Sequence, residues 1–216
     1  MKDVCSKVFK ISRLRIESDG PGVRTLVCFS TCPLRCKYCL NKIQMESKKS
    51  QIYTPLSLLE EINIDKILFK CSKGGITFGG GEPAIQSRFI SLFREICDPE
   101  WTIFLETSLN VHHSHIVELA DCVSHWYIDI KDMNNRIYQA YTGCSNNRVI
   151  ENLKFLVNKG LTSRITVRVP NIPGFNNHSD VDSSISLLNI MGLTNIEPFN
   201  YYSPLDLVNA EGCPCL

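Results

Sequence analysis

The chain has 216 residues, which is enough for one domain with a substantial buried core and short for two. Its 23 basic and 22 acidic residues give a formal net charge of +1, so composition gives no reason to expect a nucleic acid or an anionic membrane as a partner. No apolar run is long enough to span a bilayer, and the first ten residues lack the apolar stretch of a signal peptide, so we expect a cytoplasmic protein.

Short runs rich in β-branched and aromatic residues alternate with longer segments of helical periodicity along the chain. The short runs predict six strands, over residues 24–30, 75–78, 102–107, 126–130, 164–169 and 195–201. The longer segments predict five helices, over residues 55–69, 87–97, 114–121, 148–158 and 179–190. This order indicates an α/β fold, an open parallel sheet with helices outside, which we interpret as a partial (β/α)6 barrel.

A single domain over residues 1–216 is predicted, because the chain shows no long linker and no repeat. It comprises an N-terminal segment, residues 1–24, the barrel, and an irregular C-terminal tail, residues 203–216. In parallel sheets of this kind, functional sites form at the carboxyl ends of the strands.

Eleven cysteines are present, an odd number in a chain without a secretion signal, which favours a reducing compartment and metal ligation over disulfides. Cys32, Cys36 and Cys39 follow the first predicted strand, so one loop can supply three thiolates to an iron–sulfur cluster and leave one iron open. The alternative is a zinc site or buried thiols, but no second Cys-x-x-Cys pair accompanies the triplet.

Polar and glycine-rich motifs also lie at the ends of the other predicted strands. Gly80, Gly81 and Glu82 follow the second strand, and Glu106 and Thr107 end the third. Asp129 and Lys131, two residues apart at the end of the fourth strand, share one face by alternation, with a surface ion pair as the alternative reading. Arg168 and Asn200 lie near the ends of the fifth and sixth strands.

The cysteine triplet, with Tyr38 before its last member, resembles the radical S-adenosylmethionine (SAM) superfamily. The resemblance implies a four-iron four-sulfur (4Fe–4S) cluster on Cys32, Cys36 and Cys39, with SAM chelated to the fourth iron. It further implies that SAM contacts a set of residues at the loop and strand ends: Tyr38, Cys39, Leu40, Gly80, Gly81, Glu82, Glu106, Thr107, Asp129, Ile130, Lys131, Arg168 and Asn200. Relatives bind a monovalent cation at an Asp-Thr pair where this chain has Glu106 and Thr107, which leaves the cation open.

Upstream of the triplet, Asp19-Gly20-Pro21-Gly22-Val23-Arg24 resembles a motif of the activating enzymes of glycyl radical enzymes, and suggests that Asp19 and Arg24 position the substrate. Residues 41–55 contain no cysteine, as in the short, pyruvate formate-lyase activase type without a ferredoxin-like insert. The resemblance implies that a 5′-deoxyadenosyl radical takes a hydrogen from a glycine of a partner glycyl radical enzyme, with reduced flavodoxin or ferredoxin as electron donor.

Two alternatives stay open at this point. The first is a radical SAM enzyme that modifies a peptide or a small metabolite, for which Cys213 and Cys215 are candidate ligands of an auxiliary cluster. The second is a metal-bound binding module without catalysis, which would not need polar residues at successive strand ends.

Overall fold

Eight strands form one sheet in the computed structural model, which describes residues 4–46 and 49–201. The strands are β1 Ser6–Ile16, β2 Val23–Phe29, β3 Gln51–Tyr53, β4 Gly75–Gly80, β5 Thr102–Thr107, β6 His125–Asp129, β7 Ile165–Asn171 and β8 Ile196–Asn200. Their order across the sheet is β3-β1-β2-β4-β5-β6-β7-β8. β2 and β4 to β8 are all parallel, which confirms the predicted α/β fold with a parallel sheet of six strands.

Helices connect most of the parallel strands. They are α1 Lys42–Glu46, α2 Pro55–Ile62, α3 Lys66–Ser72, α4 Ser87–Ile96, α5 His113–Leu119, α6 Asn135–Thr142, α7 Asn147–Asn158 and α8 His178–Ile190. In the described ranges, no helix combines the length and the apolar character that a membrane crossing requires.

Two antiparallel strands that the sequence did not predict extend the sheet beyond β2. β1 pairs with β2, and β3 pairs with the outer edge of β1. The β1 ladder shifts register twice, between Val8 and Lys10 and between Ser12 and Arg15, so its side chains do not alternate cleanly between buried and exposed. This irregularity explains why a period of two was not evident in the sequence.

The predicted helix over residues 55–69 is divided in the structure. α2 ends at Ile62, a 3₁₀ turn covers Asn63–Asp65, and α3 begins at Lys66. The turn carries the buried Asp65, whose two carboxylate oxygens accept hydrogen bonds from the Arg13 guanidinium at 2.6 and 2.7 Å. This tie to β1 is a tertiary contact that helical periodicity cannot reveal.

The main core lies between the sheet and the surrounding helices. Val27 and Phe29 of β2 and Phe78 of β4 are fully buried on the helix side, where Phe78 meets the ring of Phe93 on α4 edge-on. Alternation places Arg24, Leu26 and Cys28 on the other face of β2, toward the barrel interior. The helix side is therefore apolar, whereas the interior combines apolar side chains with buried polar groups such as Arg24.

Arg24 fills the amino-terminal end of the barrel and is fully buried. Its guanidinium lies 3.7 Å from the centre of the Phe104 ring and donates hydrogen bonds to Thr77 Oγ1 at 2.8 Å, Thr102 Oγ1 at 2.9 Å and the Ile76 carbonyl at 2.8 Å. Gly20 approaches the same ring so closely that a Cβ there would lie 2.5 Å from it. Arg24 is thus part of the barrel floor.

Candidate functional site

The three cysteines lie in the loop that follows β2, at the carboxyl ends of the parallel strands. The backbone amides of Gly81 and Glu82 donate to the carbonyls of Phe29 (2.8 Å) and Thr31 (2.7 Å), which joins this loop to the end of β4. On the other side, the amides of Arg35 and Lys37 donate to carbonyls at the end of α6, at 2.9 and 3.1 Å. The loop is thereby held between two elements.

A cavity of about 590 Å³ opens beside this loop, within the range of sites that bind small molecules. All three cysteines line it, and so do ten of the thirteen residues for which the resemblance implies a contact with SAM, Cys39 being in both sets. The ten are Cys39, Leu40, Gly80, Gly81, Glu82, Glu106, Thr107, Asp129, Lys131 and Arg168. The structure therefore brings together the motifs from the ends of β2, β4, β5, β6 and β7.

Glu82 anchors the glycine turn from below. Its side chain is only 1% exposed and accepts four hydrogen bonds, from Thr107 Oγ1 (2.5 Å), the Ser108 amide (2.8 Å), Ser108 Oγ (2.6 Å) and the Ala84 amide (3.1 Å). Burial raises the pKa of Glu82, and the four donors oppose that rise. Since the donors occupy its carboxylate, Glu82 fixes the turn and is not itself available to a ligand.

Two glycines of this turn leave no room for a side chain. A Cβ on Gly81 would lie 2.3 Å from the Thr31 carbonyl oxygen, and a Cβ on Gly79 would lie 2.8 Å from Glu106 Oε2. Gly81 thus lets the cysteine loop approach β4, and Gly79 makes room for a carboxylate inside the barrel.

Four charged side chains form an ion-pair array on the opposite side of the cavity. Asp129 Oδ2 lies 3.2 Å from Lys131 Nζ, and Asp129 Oδ1 accepts from Arg168 Nε at 2.8 Å. Arg168 Nη1 also lies 3.1 Å from Glu106 Oε1. Ile128 and Ile130 are fully buried on the other face of β6, as the alternation predicted. The pair of Asp129 and Lys131 therefore lies in the cavity and not on the outer surface.

The electrostatics of the array follow from burial and from these contacts. Burial by itself would raise the pKa of Asp129, but Lys131 and Arg168 outweigh it and hold that pKa below its ordinary value. Burial likewise opposes the positive charge of Lys131, yet Asp129 keeps the Lys131 pKa above its usual range. For Glu106, burial dominates and raises the pKa, although Arg168 counteracts it. Two cations and two carboxylates thus balance one another.

The donor set beside the array fits an iron–sulfur cluster. In the metal-free protein, burial raises the pKa of Cys32 to about 12 and of Cys36 to about 11, so metal binding must displace their protons. No three His, Cys, Asp or Glu side chains of the described part converge on a single ion. Ligands of separate irons in one cluster need not converge, and three thiols on one cavity wall suit that arrangement. All nine described cysteines are free thiols.

Three residues expected to contact SAM do not line the cavity. Ile130 packs in the core, and the Tyr38 ring lies against Tyr141 and Phe175. Asn200 lies on the outer face of β8, where its Oδ1 accepts from Asn171 at 3.2 Å. Since side chains alternate along a strand, Phe199 and Tyr201 face the cavity instead. The position of Asn200 does not support an adenine contact.

Asp19 and Arg24 are not part of this cavity. The Asp19 carboxylate pairs with Arg15, its carbonyl accepts from Thr77 Oγ1 at 2.9 Å, and Arg24 lies in the barrel floor described above. Their contacts hold the fold together and do not support the interpretation that they position a substrate. Cys213 and Cys215 lie outside the described residues.

The sequence reasoning missed Ser108 and Tyr201. Ser108 donates twice to Glu82, and Tyr201 donates from its hydroxyl to the Tyr38 carbonyl at 2.7 Å, which ties the end of β8 to the cysteine loop. Ser108 directly follows the predicted strand over residues 102–107, and Tyr201 is the last residue of the predicted strand over residues 195–201. Sites form at such strand ends, and that position is the signal that could have identified both.

The comparisons agree with this geometry. The model of the radical SAM superfamily matches residues 26–187. The chain is 30% identical over 168 residues to the pyruvate formate-lyase 1-activating enzyme of Escherichia coli K12, covering 75% of this chain and 66% of that protein. It is 25% identical over 262 residues to the 4-hydroxyphenylacetate decarboxylase activating enzyme of Clostridioides difficile strain 630, covering 92% of this chain and 82% of that protein.

A solved structure shares the fold. The crystal structure of Streptococcus suis SuiB bound to S-adenosylmethionine superposes with a TM-score of 0.59 at 14% identity, covering 81% of this chain and 38% of that one. At that identity the likeness concerns the fold, a partial barrel. The chain spans 66% of the length of the E. coli relative, slightly under two thirds.

Proposed function

The chain belongs to the radical SAM superfamily, and from that membership we propose that it is an activating enzyme of a glycyl radical enzyme. In this function, SAM is cleaved reductively and one α-hydrogen is taken from a glycine of a partner protein. The observation that carries the proposal is the cavity itself, in which Cys32, Cys36 and Cys39 lie opposite the array of Asp129, Lys131 and Arg168.

When bound, a 4Fe–4S cluster and SAM supply a 5′-deoxyadenosyl radical, and the protein supplies the geometry. The three thiolates of Cys32, Cys36 and Cys39 would hold the cluster. The backbone of Gly80 and Gly81, fixed by Glu82, offers hydrogen-bonding groups to the amino group of the methionine moiety. Lys131 and Arg168 are suited to its carboxylate, and Asp129 to ribose hydroxyls. The two cations and two carboxylates of the array have no net charge. Such an array complements the methionine moiety, which carries a positive amino group and a negative carboxylate.

We assign the positive charge beside Glu106 to Arg168. A monovalent cation at Glu106 would compete with the guanidinium that already lies 3.1 Å from this carboxylate. The proposal therefore includes the cluster and SAM as cofactors and no monovalent cation.

The activase type is supported by the two curated relatives, which are both activating enzymes, and by the sequence motif from Asp19 to Arg24. Neither supports one particular partner, and the two relatives are named for different partner enzymes. The proposed partner is accordingly a glycyl radical enzyme, defined by a glycine that can reach the cavity. Reduction of the cluster requires an external one-electron donor.

The test is anoxic incubation of the reconstituted protein with SAM, a reductant and a glycyl radical enzyme. Pyruvate formate-lyase and 4-hydroxyphenylacetate decarboxylase are the first two partners to use. We expect a doublet in electron paramagnetic resonance whose main splitting collapses when the partner's glycine carries deuterium at the α position. A Cys36→Ala variant, which lacks one of the three cluster thiols, is the negative control.

The competing function, modification of a peptide or a small metabolite, predicts a different result. It would give 5′-deoxyadenosine together with a covalently altered small substrate, and no doublet with either partner or with any glycyl radical enzyme encoded beside the gene. That outcome would contradict the activase assignment and leave the assignment to the superfamily intact.

A further inference from the structure

The cysteine loop has a second, outward-facing cavity. This cavity measures about 260 Å³ and is lined by the same three cysteines, together with Ser30, Leu34, Arg35, Lys42, Met45 and Glu46. None of the charged residues of the array on β5, β6 and β7 lines it. A cluster on the three thiols would thus be approached from two sides, from the SAM cavity within and from this outer cavity.

The surface around the outer cavity is basic. Residues 35–46 contain three basic residues, Arg35, Lys37 and Lys42, and one acidic residue, Glu46, a formal charge of +2. Arg35 and Lys37 are exposed on either side of Cys36, and Lys42 is exposed at the start of α1. None of these three forms an ion pair with a residue of the described ranges.

One exposed apolar side chain accompanies these charges. Ile43 is 82% exposed and directly follows Lys42, whereas the nearby Leu40 lines the SAM cavity. An exposed apolar side chain among mainly basic groups is suited to an acidic protein partner, since apolar area contributes to binding and charge guides the approach.

We propose that this face, defined by Arg35, Lys37, Lys42 and Ile43, docks an acidic one-electron carrier protein that reduces the cluster. The inner cavity holds SAM and must admit the substrate during catalysis, so the outer cavity is the side that remains open to a donor. In the reaction, one electron passes from the reduced cofactor of the carrier to the oxidised cluster. The carrier is oxidised by one electron, and no bond forms or breaks.

This inference rests on the proposed function only in requiring a reducible cluster, and not in requiring a glycine as substrate. A basic surface with an exposed apolar side chain would also suit an anionic membrane. The carrier is favoured because the basic segment contains two of the three cysteines, Cys36 and Cys39, and therefore lies directly over the redox centre.

The experiment compares two double variants with the same change in net charge. Lys37→Glu with Lys42→Glu reverses two charges on the face, and Lys66→Glu with Lys154→Glu reverses two exposed charges on α3 and α7. The reconstituted proteins are mixed anoxically with flavodoxin hydroquinone, and the second-order rate constant of cluster reduction is followed by absorbance. Binding of oxidised flavodoxin is measured separately by its flavin fluorescence.

The face variant should lose about tenfold or more of the rate constant at low ionic strength, with a weaker salt dependence and weaker flavodoxin binding. The control variant should keep the wild-type values. Both should contain the wild-type amount of iron and be reduced by dithionite at the wild-type rate, because dithionite needs no docking surface.

Three results would overturn the proposal. The first is an unchanged flavodoxin rate constant in the face variant, and the second is an equal loss in both variants, which would report net charge alone. The third is binding to vesicles containing phosphatidylserine that the face variant abolishes while flavodoxin reduction persists. Failure of the glycyl radical test would leave these measurements unaffected, so the two proposals fail separately.

Discussion

Lys131 is the least exposed member of the ion-pair array, with 13% of its side chain accessible, compared with 23–29% for Glu106, Arg168 and Asp129. Changing Lys131→Met keeps the aliphatic part and removes the charge. We expect SAM affinity to fall by about 10- to 100-fold, the loss of one hydrogen bond to a charged group, with iron content unchanged. Equilibrium dialysis with labelled SAM measures this, and Lys154→Met, on the exposed face of α7, is the matched control. Equal affinity in both variants would contradict the assigned site.

Substitutions of Arg24 test whether this residue stabilises the fold or positions a substrate. Its fork of donors reaches three acceptors on two neighbouring strands, β4 and β5, and a lysine ammonium cannot reproduce that fork. Changing Arg24→Lys should lower the free energy of unfolding by about 2 kcal/mol, and Arg24→Ala by about 3 kcal/mol or more, because buried acceptors lose their donors. Urea titration of the metal-free protein measures both. Wild-type stability with lost activity would instead support a role in substrate positioning.

Individual site residues were predictable from the sequence where a strand had one buried face. In β6, the apolar Ile128 and Ile130 indicated which way Asp129 and Lys131 point. In β8, every residue after Ile196 is exposed, so no apolar pattern distinguishes the two faces. For that reason the sequence led to Asn200, whereas the cavity side belongs to Phe199 and Tyr201.

At the scale of elements, the close approach of the cysteine loop to β4 depends on Gly81. A Gly81→Ala variant places a Cβ 2.3 Å from the Thr31 carbonyl oxygen, and backbone has to move to relieve that contact. We expect reconstituted iron to fall from about four to fewer than about one per chain, because the loop can no longer hold its thiols in place. Gly160→Ala, where nothing lies within 4 Å of the new Cβ, should keep its iron and lose only about 1–2 kcal/mol to its positive φ. Full iron in Gly81→Ala would refute the steric argument.

The six parallel strands were predictable, because their buried residues form a clear pattern in the sequence. The elements added to them, β1, β3 and α6, were not predictable. β3 has three residues, and β1 has two register shifts. α6, which carries the carbonyls that hold the cysteine loop, reads as polar and was not predicted. Its limits were visible nonetheless, since Asn134 caps its first turn and Gly143 ends it in the left-handed region. Short elements held by tertiary contacts lack a periodic signal.

At the scale of the whole molecule, the buried core lies on the helix side of the sheet and does not include the three cysteines. The fold should therefore form without the cluster. The free energies of unfolding of Cys36→Ala and of the metal-free wild type, measured by urea titration, should agree within about 1 kcal/mol. The cluster-loaded wild type should be more stable, because metal binds only the folded state.

Iron analysis of the same variants tests the cluster ligands. It should find no cluster in Cys36→Ala and a full cluster in Cys71→Ala, which changes an exposed cysteine on α3. Iron retained by Cys36→Ala, or zinc in the wild type, would contradict the cluster assignment.

The four donors around Glu82 have a consequence for the cost of binding. A glycine-rich turn has many accessible conformations, and a ligand that must select one of them loses affinity in doing so. Here Thr107, Ser108 and Ala84 restrict the turn through contacts within the protein alone. The conformational entropy is thus given up when the chain folds, so the proposed contact of a cofactor with Gly80 and Gly81 would be made to a backbone that is already rigid.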